Sequence, residues 1–304
     1  MTVPKSARQN LYKYLGDKTD KFLSDTNNRL KKYTQLWQLT GLSFMQTDTV
    51  NLLLSCESNL YGPCVLKMCI PGPVAVTEIN CLLAYDGKGF CKLWAYDTTD
   101  NVLLLQQVIP GHQMWAVSDY RERARLMADV VKNLPHIPLD GQTEYLTYLG
   151  GMEEIHRILT GKGGMEELLF YLDKAMEIYI GLKQHYRKSY LLHGDLHQEN
   201  MLLNYAGGYT IIDPQGVVDD PVMLTARFLM NELPCEESKI YEIVAIMSPI
   251  IQIPEKDMLK CMFIDCALMN CWCMDRHFST LEAVENKKQD SLETCKFVYG
   301  LVSK

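Results

Sequence analysis

The sequence has no apolar run close to the roughly 20 residues that a membrane-spanning helix needs. Residues 1–5 lack the apolar segment of a secretory signal. There is also no CxxC pair, and the 11 cysteines form no regular framework. We therefore expect a cytoplasmic protein with no membrane partner, whose thiols are reduced and mostly act as small core residues.

A surplus of positive charge is missing as well. The chain has 30 Lys and Arg against 37 Asp and Glu, a formal net charge of −7. A general nucleic-acid binder would usually present a basic face, so nucleic acid is not expected as a partner. The balance is compatible with a small cationic substrate, and nothing indicates an obligatory protein partner.

Two phosphate-binding signatures are absent too. No Walker-type GxxxxGK[ST] occurs, and the place of a glycine-rich loop between the first two predicted strands is taken by residues 46–49. The hydroxyls of Thr47 and Thr49 are candidate phosphate contacts, with a plain hairpin turn as the alternative.

The pattern along the chain predicts an α+β protein with two lobes. Its 304 residues, 47% of them hydrophobic, allow a large core. Apolar periodicity predicts an amphipathic helical segment over 7–38, broken near Gly16 and again at 25–28. We predict strands at 42–45, 50–55, 63–68, 87–96 and 101–108, with a helix over 74–85. After Pro110 the chain reads as almost wholly helical, so the predicted lobes are 1–109 and 110–304.

The most informative stretch is residues 193–200, His-Gly-Asp-Leu-His-Gln-Glu-Asn, with Asp213 further along. Two apolar runs, 201–203 and 209–212, bracket a turn with two glycines, which predicts a hairpin. The hairpin would return Asn200 and Asp213 to the same end. Phosphoryl transfer from a metal-bound nucleotide needs this set: Asp195 to take a proton, and Asn200 with Asp213 to hold Mg²⁺.

Residues of the first predicted lobe fit the nucleotide. Lys67 lies inside an apolar strand, and Glu78 follows 11 residues later in the predicted helix. A strand lysine paired with a helix glutamate is how kinases direct an ammonium to the α- and β-phosphates of ATP. The segment containing Gln107 and Ile109 leads out of the last strand, where free backbone groups could hydrogen-bond the adenine edge.

These residues resemble the aminoglycoside phosphotransferases, in the streptomycin-kinase-like branch that includes hydroxyurea phosphotransferases. The resemblance runs over nearly the whole chain. It is carried by Lys67, Glu78, residues 107–111, the core 193–200 and, most specifically, residues 213–221 with 226–231. The lysine usual before Gly216 in that family is Gln215 here, which leaves no charge-based role at that position.

The resemblance implies an α+β fold like that of eukaryotic protein kinases, with a small antiparallel-sheet lobe and a mainly helical lobe. It implies ATP and Mg²⁺ as cofactors and a hydroxyl of a small cationic sugar as the acceptor. Asp195 would be the catalytic base, Asn200 and Asp213 the metal ligands, and Lys67 with Glu78 the phosphate anchor. His193 and His197 would hold the loop through hydrogen bonds. Antibiotic resistance is the implied biological role.

A cationic acceptor calls for acidic side chains in its pocket. The candidates for substrate binding in the second lobe are Asp219, Asp220, Glu232 and Asp275, and Arg227 is a further candidate for contact with the substrate. Each has an alternative role. The acidic residues could be helix caps or exposed helix charges, and Asp220, which precedes Pro221, suits a cap especially well. Arg227 could brace the catalytic loop.

The cysteines at 261, 266, 271 and 273 do not predict a zinc site, because helical steps of five residues rotate them off a common face. Three functions stay open. The first is an ATP-dependent aminoglycoside kinase, with streptomycin as the first substrate to test. The second is a kinase of hydroxyurea, an amino sugar or an amino alcohol. The third is a nucleotide-binding pseudokinase, against which the complete set of site residues argues.

Overall fold

The computed structural model describes residues 2–46, 49–72, 74–139, 141, 145–275 and 281–303, with the backbone alone for 281–284. The helices are α1 (Lys5–Leu15), α2 (Thr19–Leu36), α3 (Val74–Tyr85), α4 (Tyr120–Asn133), α5 (Tyr148–Lys162), α6 (Glu166–Leu182), α7 (Ala226–Asn231), α8 (Glu237–Ile251), α9 (Glu255–Met274) and α10 (Leu281–Val302). The strands are β1 (Leu39–Phe44), β2 (Leu52–Ser58), β3 (Gly62–Met68), β4 (Leu93–Asp97), β5 (Val102–Gln106), β6 (Pro110–Gln113), β7 (Leu146–Thr147), β8 (Tyr190–Leu192), β9 (Met201–Asn204), β10 (Tyr209–Ile211) and β11 (Val217–Asp219).

The first part of the chain builds a five-stranded antiparallel sheet in the order β1-β2-β3-β5-β4. Side chains alternate between its two faces, as the pleat of a strand requires. Leu66 and Leu104 belong to the core shared with α1 and α2, whereas Leu103 and Leu105 belong to the core shared with α3. Lys67 lies between Leu66 and Met68 in β3, so the alternation directs it to the α3 face.

The second part is mainly helical and centres on α9, which is buried on most of its surface and packs against α5, α6, α7, α8 and α10. Two small sheets lie among the helices, with orders β10-β9-β6 and β7-β11-β8. Because β6 pairs with β9, the segment that leaves the large sheet is hydrogen-bonded to the predicted catalytic hairpin. The proposed lobe boundary, between residues 109 and 110, falls between β5 and β6.

Three sequence expectations differ from this fold. The helix break at Gly16 is present, but residues 25–28 continue α2, where Thr26 is buried and its hydroxyl donates to the Phe22 carbonyl at 2.9 Å. The strand predicted over 87–96 is shorter, since Gly87 and Gly89 adopt positive φ angles and only 93–97 join the sheet. The part after Pro110 is less uniformly helical than predicted, because its described residues include six short strands.

Cysteine behaviour follows the sequence expectation. All 11 are free thiols, and nine of them are buried. No group of three or more His, Cys, Asp or Glu residues in the described ranges is arranged to hold a metal ion. Among the described helices, none combines the length and apolarity required to cross a membrane.

Candidate active site

The hairpin of β9 and β10 brings the two predicted metal ligands together. Its register pairs Tyr209 with Leu203 and Ile211 with Met201. The amide of Ile212 donates to the Asn200 carbonyl at 3.0 Å, so Asn200 enters the hairpin beside the point where Asp213 leaves it. Asp213 itself has a φ of +58°, a conformation that aspartate tolerates better than most residues.

His193 holds the start of the loop over residues 193–200, which we call the catalytic loop. Its Nε2 lies 2.8 Å from the Ile212 carbonyl, and its Nδ1 accepts from the Asp195 amide at 3.0 Å. This pair of bonds places the ring proton on Nε2. Burial lowers the pKa of His193, so the ring stays neutral at physiological pH. Gly194, which lies between His193 and Asp195, has a φ of +81°, and a Cβ there would lie 2.6 Å from Val217 Cγ2. The geometry agrees with the expected holding role of this histidine.

Asp195 is held by charge on two sides. Arg227 Nη1 lies 3.1 Å from its Oδ1, and His197 Nε2 lies 3.6 Å from its Oδ2. Burial raises the pKa of Asp195, but the interaction with His197 and the positive charge of Arg227 outweigh it and lower the pKa to about 2. The side chain is 25% exposed. Asp195 is therefore an ionised carboxylate with access to solvent, suited to accept a hydrogen bond from an acceptor hydroxyl.

Asn200 and Asp213 offer two oxygen donors suited to Mg²⁺. The Asn200 amide nitrogen donates to the Asp195 carbonyl at 2.9 Å, which leaves its Oδ1 as the atom for a cation. Asp213 is 39% exposed at the side chain, and one carboxylate oxygen contacts Lys67. Mg²⁺ usually takes one or two protein ligands and completes its shell with water and phosphate oxygens. Two donors at one end of a hairpin fit that requirement.

Lys67 joins the sheet, α3 and the hairpin. Its Nζ lies 2.8 and 2.7 Å from the two carboxylate oxygens of Glu78 and also contacts Asp213 Oδ1. Lys67 and Glu78 are almost fully buried, with side-chain exposures of 5% and 3%. The charge of Lys67 is the main cause of the lowered pKa of Asp213. Burial raises the pKa of Glu78 to about 7, and the negative charge of Asp213 adds to the rise. Together they outweigh the positive charge of Lys67, which lowers this pKa.

Two further predicted nucleotide contacts lie at the rim of the large sheet. The Gln107 amide donates to the Pro63 carbonyl at 3.2 Å, so this backbone donor is already engaged. Ile109 lies in the connection from β5 to β6. Thr49 precedes β2 in the chain, and its Oγ1 accepts from the Asn51 amide at 2.9 Å. Thr47 lies outside the described residues.

Two acidic candidates for substrate binding are engaged inside the fold. Asp219 is buried, accepting from the Tyr179 hydroxyl at 2.7 Å and pairing with Lys183 at 2.8 Å. Asp220 is also buried and caps the turn at residues 221–225, accepting from the Val222 amide at 3.1 Å. The capping alternative for Asp220 therefore describes its observed contacts.

The other three candidates make different contacts. Arg227 spans Asp195 and Asp265, with Nε 2.8 Å from Asp265 Oδ2, which is the geometry of a brace. Glu232 has no side-chain exposure and pairs with Arg123 and Lys239. Asp275 is exposed and lies 2.7 Å from Lys162, at the end of α9.

Three residues that support the site carried no prediction: Arg123, Gln198 and Asp265. Asp265 orients Arg227, and Gln198 donates to Glu232 Oε1 at 2.8 Å. A signal was present for two of them. Arg123 stands four residues before Met127 on the buried face of α4, and Asp265 lies within the otherwise apolar stretch 261–269 of α9. A charged residue at a buried helical position indicates a partner elsewhere in the fold.

Three solved structures of similar fold are small-molecule kinases or belong to such a family. The amicoumacin kinase hAmiN, in complex with AMP-PNP, Ca²⁺ and Ami, has a TM-score of 0.68 and 12% identity, covering 91% of this chain and 96% of its own. A choline/ethanolamine kinase family protein from Mesorhizobium loti has a TM-score of 0.66 and 12% identity, covering 93% and 100%. The aminoglycoside phosphotransferase APH(4)-Ia, in a ternary complex with ADP and hygromycin B, has a TM-score of 0.60 and 10% identity, covering 90% and 98%.

These likenesses confirm the predicted α+β fold of the protein-kinase type. Comparison with curated protein sequences gives no match. The family model described as aminoglycoside/hydroxyurea antibiotic resistance kinase matches residues 46–273, which include the large sheet from β2 onward, the catalytic hairpin and most of α9. The chain therefore belongs to the aminoglycoside/hydroxyurea antibiotic resistance kinase family and is a phosphotransferase with an alcohol group as acceptor.

Proposed function

We propose that the chain moves the γ-phosphoryl group of ATP, with Mg²⁺, to a hydroxyl of a small cationic molecule, an aminoglycoside such as streptomycin. The observation that carries the proposal is the junction at Lys67, whose Nζ contacts both Glu78 and Asp213. That junction links the nucleotide side to the hairpin, so an ammonium and a metal-binding carboxylate face the same phosphates. Resistance in the cytoplasm would be the biological role.

The residues have defined parts in this reaction. Asp195 orients the acceptor hydroxyl and takes its proton as the new oxygen–phosphorus bond forms and the bond to the β-phosphate oxygen breaks, releasing ADP. Since its pKa is about 2, Asp195 is a weak base. Orientation is therefore its main contribution, as expected when the transition state is loose. Asn200 and Asp213 would hold Mg²⁺, which neutralises charge on the β- and γ-phosphate oxygens.

The internal contacts of the acidic residues favour a second class of acceptor. The carboxylates of Asp219, Asp220 and Glu232 are committed to internal partners, so they add no negative charge to an open acceptor pocket. An acceptor with fewer cationic groups than an aminoglycoside would need fewer such residues. Hydroxyurea, an amino sugar or an amino alcohol is therefore the second candidate.

The test is a phosphotransfer assay with ATP and Mg²⁺ over a panel containing streptomycin, other aminoglycosides, hydroxyurea, amino sugars and amino alcohols. The Asp195→Asn variant serves as the catalytic control. Turnover of streptomycin that the variant abolishes would support the first candidate, and turnover of hydroxyurea or an amino alcohol alone would support the second. Nucleotide binding without transfer to any acceptor would contradict both and revive the pseudokinase hypothesis.

A further inference from the structure

A buried cluster of charges lies behind the catalytic loop. We call Arg123, Gln198, Asn231, Glu232 and Lys239 the anchor cluster. The Arg123 guanidinium donates from Nε to Glu232 Oε1 at 2.8 Å and from Nη2 to Oε2 at 2.6 Å, and Lys239 Nζ lies 2.8 Å from Oε2. Burial raises the pKa of Glu232, but the hydrogen bonds from Arg123, Lys239 and Gln198 outweigh it and lower the pKa. Glu232 is therefore an ionised, fully surrounded acceptor.

Gln198 connects this ion pair to the catalytic loop. Its Nε2 donates to Glu232 Oε1 at 2.8 Å and to the Phe228 carbonyl at 3.3 Å, and its Oε1 accepts from Asn231 Nδ2 at 3.0 Å. The residue is fully buried. Both ends of the carboxamide are bonded, so one rotamer is fixed. Gln198 stands between Asp195 and Asn200 in the chain, so the short backbone connections to both residues tie their positions to that of Gln198.

The Arg123 side of the cluster reaches the segment that precedes α4. Its Nη1 donates to the carbonyls of Val117 and Ser118 at 2.7 and 3.1 Å, and its Cζ lies 4.7 Å from the centre of the Trp115 ring. This segment follows β6, and β6 pairs with β9 directly after the catalytic loop. The anchor cluster therefore holds the loop and its neighbouring strand from the same point.

We propose that Gln198 and the Arg123–Glu232 pair are positioning residues, which fix Asp195 and Asn200 for phosphoryl transfer without contact to either substrate. A buried ion pair is a poor source of stability, because apolar residues of similar volume often serve as well. A charged acceptor does, however, strengthen and direct the hydrogen bond from Gln198. The inference rests on the proposed roles of Asp195 and Asn200.

The primary test is Gln198→Met, which keeps the length of the side chain and removes the carboxamide. We expect kcat to fall by about 10- to 100-fold, since small displacements of reacting groups carry costs of that size. The KM for ATP should change less than about threefold, because the Lys67 anchor is untouched. The Mg²⁺ concentration for half-maximal binding of a non-hydrolysable ATP analogue should rise about 10-fold, as for other losses of support behind a metal ligand. In the nucleotide-free protein, hydrogen exchange of the peptide over 193–203 should become faster.

The control is Lys183→Met, which breaks a buried ion pair away from the anchor cluster. Lys183 pairs with the buried Asp219 at 2.8 Å, as Lys239 pairs with Glu232, and both lysines are about equally exposed. Because this ion pair lies outside the catalytic loop, its loss should lower the melting temperature while kcat, the Mg²⁺ midpoint and exchange over 193–203 stay as in wild type. Glu232→Gln provides a second probe, and combining it with Gln198→Met should give less than the sum of the two effects on kcat.

A folded Gln198→Met protein with wild-type kcat, Mg²⁺ midpoint and loop exchange would overturn the proposal. If that variant does not fold, Glu232→Gln is measured by the same three readouts, and wild-type values in all three would overturn the proposal equally. If the wild type transfers phosphate to no acceptor, the proposed function fails. Metal-dependent nucleotide binding and hydrogen exchange still decide the positioning role in that case, so the two failures are distinguishable.

Discussion

Two buried clusters of charge contact the chain before and after the catalytic hairpin, at Gln198 and at Asp213, and they are opposite in composition. The nucleotide-side cluster, Lys67 with Glu78 and Asp213, has one cation for two carboxylates, and one of those carboxylates is 39% exposed. The anchor cluster has two cations around the single carboxylate of Glu232, which is fully buried and also bonded to Gln198.

This difference separates a site that needs a ligand from one that does not. The nucleotide-side cluster carries surplus negative charge, which a bound cation would balance. Burial is the main cause of the raised pKa of Glu78, and the negative charge of Asp213 adds to it. In the anchor cluster the lowered pKa of Glu232 shows a carboxylate that is already over-compensated. On the roles proposed above, charge balance thus distinguishes the cluster that takes part in the chemistry from the cluster that supports it.

The largest expected effect lies between the clusters, at Asp195. Asp195→Asn keeps the size of the side chain and removes the charge that orients the acceptor hydroxyl. We expect kcat to fall by about 10²- to 10⁴-fold, the usual range for a positioned proton acceptor. ATP should still bind, because both clusters remain intact. Steady-state kinetics with calorimetric ATP binding checks this, and near-wild-type turnover would contradict the role of Asp195.

Next in size is a paired comparison that breaks each cluster at its cation. Arg123→Met leaves Glu232 buried with only Lys239, and we expect a loss of about 3 kcal/mol in the free energy of unfolding. Lys67→Met should cost less stability, because Glu78 can take a proton and Asp213 can reach solvent. It should instead lower kcat/KM for ATP by about 100-fold or more, since a charge that stabilises the transferring phosphates is removed.

Urea titration and ATP-dependent kinetics of both variants measure the contrast. Lys183→Met is the control for losing a lysine from a buried carboxylate elsewhere. The comparison fails if Lys67→Met is destabilised more than Arg123→Met while its kinetics with ATP are unchanged.

The same two clusters show what sequence reasoning reaches. Lys67, Glu78 and Asp213 were predictable because chemistry restricts both their residue types and their spacing. The contacts of Glu232 were not, since its partner Arg123 is 109 residues away on α4, whereas Glu232 follows the end of α7. A carboxylate in the helical lobe suggested an acceptor pocket, whereas burial gave it an internal partner. The continuation of α2 through residues 25–28 has the same origin, because tertiary burial overrides local helix-breaking tendency.

The smallest expected effect is a difference of sign in the pH dependence of stability. Burial raises the pKa of Glu78 from 4.5 to about 7, so the folded chain binds more protons than the unfolded chain between these values. Its contribution is therefore complete below pH 4.5 and is lost as the pH rises through 7. For Glu232 the folded pKa is lowered, so its contribution is present above its ordinary value of 4.5 and is lost as the pH falls through the folded pKa.

Subtracting variants isolates these contributions. The free energy of unfolding of wild type minus that of Glu78→Gln should fall by about 1–3 kcal/mol between pH 4.5 and 8. The corresponding difference for Glu232→Gln should instead fall when the pH is lowered below 4.5. Binding of Mg²⁺ with a non-hydrolysable ATP analogue should make the fall in the Glu78→Gln difference smaller, because the added cation balances the surplus negative charge. The pH dependence of the Glu232→Gln difference should stay unchanged. Equal slopes for the two variants, or no response of Glu78 to the ligand, would mean that charge balance does not separate the binding cluster from the supporting one.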